Sequence, residues 1–168
     1  MTKAQDVLVA LKLCLPNDGK SFAALAGELG MSASEVHASL ARLGEARLVD
    51  VTSRKVNRKP FLEFLKSGVP YVFPARLKET TRGMPTGWAT GPMAKVFTYA
   101  RDDIPVWPEP EGTVKGQSLE PLYRSVPVAA KNDPALYDLL ALVDALRIGR
   151  ARERNFAAQQ LEERLSHV

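Results

Sequence analysis

Four basic residues lie close together in the stretch SRKVNRKP: Arg54, Lys55, Arg58 and Lys59. Arginine and lysine donate charge-assisted hydrogen bonds to phosphate oxygens, which hold a nucleic-acid backbone without reading its bases. Residues 41–68 contain seven basic and three acidic residues, so positive charge is concentrated around this group. We call these four residues the basic tetrad and interpret them as a candidate phosphate-binding group; a solvated linker is the alternative.

A second group of candidate binding residues precedes the tetrad, in the stretch MSASEVHASLARLGEARLV. Ser32 and Glu35 have the spacing of a capping box, which predicts the start of a helix. Val36, Leu40 and Leu43 then recur at helical spacing and predict its buried side. The following residues of the same helix point away from that side: Ser34, His37, Ala38, Ala41 and Arg42.

Two earlier helices are predicted to position this one. Residues 4–15 place their apolar side chains on one helical face, and the pattern stops at Pro16. Ser21 is a good N-cap for a short second helix, and Gly30 is a typical C-terminal stop. Two short helices joined by a tight turn, the second with small or polar residues outward, form the pattern of a helix-turn-helix.

The stretch SFAALAGELGMSASEVHASLARLGEARLV carries a family resemblance. Residues 4–52 resemble the winged helix-turn-helix domain of bacterial transcriptional regulators of the MarR and AsnC type. The resemblance implies that the third helix enters the major groove of double-stranded DNA, with its outward residues facing the bases. It also implies a homodimer through terminal helices, with two recognition helices on successive turns of DNA.

The wing is where the sequence departs from that family, whose pattern has two strands joined by a hairpin. Residues 48–52 alternate as a first strand. The stretch that follows contains no Asn-Gly or Asp-Gly turn, and Pro60 suits the first residue of a helix that Gly68 ends. We therefore expect a wing that is short or replaced.

The middle of the chain, residues 69–131, is predicted to be an irregular extension. Short strands are expected at 71–73 and 94–99, and the Gly- and Thr-rich residues 78–93 are expected to form a loop anchored by Trp88. The stretch DDIPVWPEPEGT reads as a Pro-rich surface segment. Four of its carboxylates imitate a catalytic or metal cluster, although solvation is the favoured interpretation: Asp102, Asp103, Glu109 and Glu111.

The C-terminal third is predicted to be helical, with Asn132 or Asp133 as N-cap and Pro134 as first residue. Gly149 interrupts the apolar pattern, so the segment is one weakened helix or two helices. A thin stripe beyond it suits a partner helix: Ala151, Ala158, Leu161 and Leu165. A cluster of arginines is interpreted as forming ion pairs on the helix surface rather than binding nucleic acid: Arg147, Arg150, Arg152 and Arg154.

Composition narrows the classes of function. No run of apolar residues approaches the roughly 18 that span a bilayer, and no secretory signal is recognisable, so we expect a cytoplasmic protein without membrane contact. With one cysteine, Cys14, and two histidines, His37 and His167, a dedicated metal site is not expected. The glycines match no nucleotide-binding loop, and no cofactor or enzymatic activity is predicted.

The sequence therefore predicts a mainly α fold with small β elements. Its expected parts are a winged helix-turn-helix DNA-binding domain over 1–68, an irregular extension over 69–131 and a helical dimerisation segment over 132–168. The predicted function is that of a dimeric DNA-binding transcriptional regulator, a repressor. The alternative is an adaptor or antitoxin-like partner of a bacterial defence or toxin locus, in which the winged helix is a scaffold and residues 69–131 dock another protein.

Overall fold

The computed structural model describes residues 1–100 and 103–166 of the chain, and it is mainly helical with small strands, as the sequence predicts. A 3₁₀ turn at Gly87–Ala89 lies between its third strand and sixth helix. The elements, in chain order, are α1 Ala4–Cys14, α2 Phe22–Leu29, α3 Ala33–Glu45, β1 Val49–Asp50, β2 Lys55–Val56, α4 Arg58–Ser67, α5 Val69–Val72, β3 Thr80–Pro85, α6 Gly91–Ala94, β4 Pro105–Pro108, β5 Val114–Ser118, α7 Val126–Asn132, α8 Pro134–Ile148 and α9 Ala151–Leu165.

Local capping signals determine where α2 and α3 begin and end. The Ser21 hydroxyl accepts a hydrogen bond from the backbone N–H of Ala24 at 3.1 Å, and Gly30 ends α2 in the left-handed region at φ 67°. Ser32 and Glu35 form the predicted capping box, in which each side chain accepts from the other residue's backbone N–H. The helix pair and its tight turn are therefore specified by residues adjacent in the chain.

A short hairpin lies where the sequence predicts a wing that is short or replaced, and we refer to this hairpin as the wing. Strands β1 and β2 pair antiparallel, with Val49 opposite Val56 and Asp50 opposite Lys55. The Asp50 carboxylate accepts hydrogen bonds from two backbone N–H groups of the connecting loop, and Arg54 takes a left-handed φ of 58°. This turn uses an aspartate side chain instead of an Asn-Gly pair, which is why the returning strand was not evident from sequence.

The middle segment is more ordered than predicted. Strands β3, β4 and β5 each pair with the other two. The prediction of a loop over residues 78–93 is therefore wrong for β3. The Pro-rich segment is not confined to the surface, because Trp107 of β4 is fully buried. The strand expected over 71–73 is wrong, because Tyr71 and Val72 belong to α5 and Phe73 caps it, and the Tyr71 side chain is 75% exposed. Residues 94–99 contain no strand. Trp88 is buried, as predicted.

A buried carboxylate joins this sheet to α8. Asp144 accepts hydrogen bonds from the Thr86 hydroxyl at 2.7 Å and the Trp107 indole N–H at 2.8 Å. It also pairs with Arg147 one turn further along α8. Burial raises the pKa of Asp144, while the Arg147 guanidinium opposes that change. These three donors satisfy a carboxylate that would otherwise be costly to bury.

The C-terminal third consists of two helices that break at Gly149. The Asp133 carboxylate caps α8 by accepting from the backbone N–H groups of Ala135 and Leu136. On α9, Leu161 and Leu165 are buried within the chain, where α9 packs on α8 and α4. The stripe assigned to a partner helix is thus wrong for these two leucines, because they complete the protomer's own core.

One hydrophobic core runs through all three predicted segments. It includes Leu11 of α1, Phe61 of α4, Trp107 of β4, Leu140 of α8 and other buried residues. Cys14 belongs to this core, and burial raises the pKa of its thiol to about 11, so it stays protonated at neutral pH. The N-terminal helices are therefore supported by the C-terminal ones.

Candidate nucleic-acid interface

Helix α3 presents a stripe of small residues on the side opposite its buried leucines. Ser34 and Ala41 are exposed and Ala38 is half-buried, and the same stripe ends at the exposed Glu45. His37 is exposed beside the stripe, and its ring contacts Phe22 of α2 edge-on, with 5.5 Å between ring centroids. Four of the five residues predicted to face bases thus lie on one accessible side of α3.

Arg42, the fifth, is not available to a ligand. Its Nε and Nη2 atoms donate to the two carboxylate oxygens of Asp6 at 2.9 and 2.8 Å. Asp6 is fully buried, and the Arg42 side chain is only 19% exposed. This bidentate pair fixes α3 to α1, because removing either partner would leave a buried charge. The prediction that Arg42 faces bases is therefore corrected: it is a structural residue.

Arg54 of the basic tetrad also contacts the protein. Its guanidinium stacks over the Phe22 ring, 4.1 Å from the centroid, and its Nη1 donates to the carbonyl of Lys20 at 2.7 Å. These contacts hold the tip of the wing against the N-terminal end of α2. The prediction that Arg54 binds phosphate is therefore wrong.

Arg58 is bound within the fold in a similar way. Its Nη2 donates to the carbonyl of Cys14 at 2.9 Å and its Nη1 to the carbonyl of Leu165 at 3.1 Å. Both carbonyls belong to C-terminal helix ends, where a cation is favourable. Arg58 therefore joins the ends of α1 and α9, and its assignment to phosphate is wrong.

Lys55 and Lys59 are the accessible members of the tetrad. Both are exposed, and neither side chain forms a hydrogen bond or ion pair with another described residue. Arg47, which no sequence motif marks, is also exposed at the turn after α3. Its carbonyl accepts from the Asn57 side chain at 2.7 Å, which brings that turn next to the start of α4. Three exposed cations thus border the C-terminal end of α3.

The N-terminal end of α3 is in contact with the middle segment. The Glu35 carboxylate accepts hydrogen bonds from the Tyr123 hydroxyl and, at 2.8 Å, from Arg124. The pKa of Glu35 is lowered to about 2, chiefly by the backbone N–H of Ser32 and then by Tyr123. Arg124 keeps 74% of its side chain exposed. No sequence signal could find this cation, since 88 residues separate Tyr123 from Glu35.

The remaining predictions concern the acidic Pro-rich residues, the C-terminal arginines and membrane-spanning helices. Of the acidic Pro-rich residues, Glu109 pairs with Lys131, and Asp102 lies outside the described residues, as does His167. Arg147 pairs with Asp144, but both side chains are buried, so the prediction of an ion pair on the helix surface is wrong for Arg147. Arg152 stacks over the ring of Phe97. Within residues 1–100 and 103–166, no helix is both long and apolar enough to cross a membrane.

Comparison with known proteins gives no match: no family model, no curated protein and no solved structure corresponds to this chain.

Proposed function

We propose that the chain is a DNA-binding transcriptional regulator, a repressor, that binds double-stranded DNA with the outer side of α3 and the adjoining wing. The observation that carries the proposal is the combination of a tightly turned helix pair, an antiparallel wing and an exposed stripe of small residues with cations at both of its ends. Small side chains permit close approach to base edges, and cations favour phosphates.

The structure changes which residues carry this proposal. Ser34, His37, Ala38 and Ala41 remain as the surface that would meet base edges. Four exposed cations replace the tetrad as the group for phosphates: Arg47, Lys55, Lys59 and Arg124. Because the stripe lacks a free arginine, asparagine or glutamine, direct base reading is weak, and phosphate contacts would provide most of the affinity.

A substitution in the centre of the stripe tests the proposal. Ala41→Glu adds bulk and negative charge at an exposed helical position, so it should leave the fold intact and weaken binding to the DNA upstream of the protein's own gene by at least about tenfold. Ala151→Glu makes the same change at an exposed position of α9 and should leave the affinity unchanged. Fluorescence anisotropy measures both. Unchanged affinity of Ala41→Glu would show that α3 does not face DNA.

We further propose that the regulator acts in the cytoplasm and as a homodimer. Since Leu161 and Leu165 are used inside the protomer, a dimer would need another surface, and light scattering of the purified chain decides the question. A mass of one protomer at working concentration would exclude a stable dimer. A monomer would bind a single half-site, and therefore more weakly than a dimer on a palindromic site.

A protein-docking adaptor is the second candidate, favoured by one observation. Tyr71 and Val72 of α5 are 75% and 54% exposed, and Val96 is 56% exposed in the same middle segment. Exposed aromatic and apolar side chains often mark surfaces for protein partners. In this case DNA binding would be absent at every salt concentration, and a stoichiometric protein would co-purify through residues 69–131.

A further inference from the structure

A second candidate site is an open cavity of about 510 Å³ between residues 73–78, residues 120–122 and α8. This volume falls in the range of pockets that bind small molecules. Three cationic side chains line it, Arg76, Lys78 and Arg147, against one acidic side chain, Glu120. The apolar part of the wall includes Phe73 and Leu122.

Arg147 is the preorganised element of this cavity. Its side chain is only 6% exposed, its Nε donates to the carbonyl of Phe73 at 2.9 Å, and its Nη1 donates to Asp144 at 3.0 Å. The remaining Nη2 has no acceptor among the described residues. A guanidinium that lines the cavity, is held by two partners and keeps one nitrogen without an acceptor is suited to bind an oxyanion, because little side-chain entropy remains to be lost.

Arg76 and Lys78 add exposed positive charge to the lining of the cavity. Both are exposed, and neither side chain has a hydrogen-bond partner among the described residues. Asp144 pairs with Arg147, and Glu120 is the one acidic residue of the lining, so the three cations leave the cavity with a net positive charge. The apolar wall adds a surface for a non-polar group.

The same stretch of chain reaches from the cavity to α3. Residues 120–122 line the cavity, and the next two residues, Tyr123 and Arg124, bind the Glu35 carboxylate in the first turn of α3. A ligand that orders residues 120–122 would thereby stabilise that contact, since the two sites are separated by only one or two residues.

We propose that this cavity binds a small organic molecule carrying a phosphate or carboxylate group, and that its occupancy is transmitted to the recognition helix through residues 120–124. The binding of the ligand is independent of the proposed function, whereas the regulatory meaning of the transmission rests on it.

Calorimetry with phenyl phosphate and, separately, inorganic phosphate tests the binding on the protein alone. We expect one site and at least tenfold tighter binding of phenyl phosphate, because only it meets the apolar wall. Arg76→Gln/Lys78→Gln should weaken its binding at least tenfold; Arg147 is left intact because its removal would unpair Asp144. Arg82→Gln/Lys115→Gln, an exposed pair facing each other on β3 and β5, removes the same charge and should change nothing.

Several results would overturn the proposal. Absence of binding at millimolar phenyl phosphate, equal affinity for both probes, or equal loss in both double variants would each reject the cavity as an organic-oxyanion site. Hydrogen exchange of the first turn of α3 tests transmission without DNA: saturating phenyl phosphate should slow it, and unchanged exchange would reject the coupling. If the DNA assay fails while these results hold, only the proposed function is refuted.

Discussion

Arg42 shows how a single contact redirects the interpretation of a residue. Its position on α3 suits a base contact, yet its bidentate pair with the fully buried Asp6 makes it part of the core. Among the described residues, Arg42→Ala leaves Asp6 with only the backbone N–H of Lys3 as partner. We therefore expect the free energy of unfolding to fall by about 3 kcal/mol, measured by urea denaturation.

The matched control for this substitution is Arg47→Ala, five residues later. Arg47 is exposed, and its side chain has no partner among the described residues, so its loss should change stability by less than about 0.5 kcal/mol. In DNA binding the order should be reversed. Arg47→Ala removes a cation of the proposed interface and should weaken the affinity directly, whereas Arg42→Ala removes none. A stable Arg42→Ala protein would contradict the structural role.

Glu35 gives a prediction of pH dependence. Its folded pKa of about 2 lies below the ordinary value of 4.5, so its contribution to stability is present above pH 4.5 and is lost as pH falls from 4.5 towards 2. Glu35→Gln should lower stability at pH 7 and flatten the acid limb of the stability curve. Glu63→Gln, at an exposed position of α4, is the control, and identical acid limbs for wild type and Glu35→Gln would refute the assignment.

At the scale of elements, two glycines of the α2–α3 helix pair should respond oppositely to alanine. Gly27 lies inside α2 with open space around its Cβ position, so Gly27→Ala should stabilise the protein by about 0.5–1 kcal/mol. Gly30 has φ 67°, and a Cβ there would lie 3.1 Å from Ser125 Cβ. Gly30→Ala should destabilise by about 1–2 kcal/mol. Thermal denaturation compares them; the same sign for both would contradict this helix-turn geometry.

The elements that the sequence predicts well are those specified by neighbours in the chain. Ser21, Gly30, Ser32 and Asp133 cap their helices as expected. Strands β3, β4 and β5 escaped prediction because they are short, contain or adjoin prolines and glycines, and are stabilised by pairing across the chain. Gly83, for example, packs where any Cβ would overlap the Trp107 carbonyl, a constraint invisible without the partner strand.

At the scale of the whole molecule, the candidate interface was only partly predictable. The outward side of α3 follows from helical periodicity, so Ser34, His37 and Ala41 were placed correctly on the exposed surface. Three arginines donate hydrogen bonds to distant parts of the chain: Arg42 to Asp6, Arg54 to the Lys20 carbonyl and Arg58 to the Cys14 carbonyl. These are tertiary contacts, which the sequence does not reveal. Charge counts therefore located the basic region but could not say which cations remain accessible.

The salt dependence of DNA affinity tests the central claim most directly. Each lysine–phosphate contact contributes close to one unit to the slope of log affinity against log salt. Lys55→Gln/Lys59→Gln should therefore reduce the slope by about two and weaken binding similarly for all sequences. Lys95→Gln/Lys115→Gln, two exposed lysines of the middle segment, should leave the slope unchanged. Equal slopes for wild type and Lys55→Gln/Lys59→Gln, or affinity without salt dependence, would contradict the account.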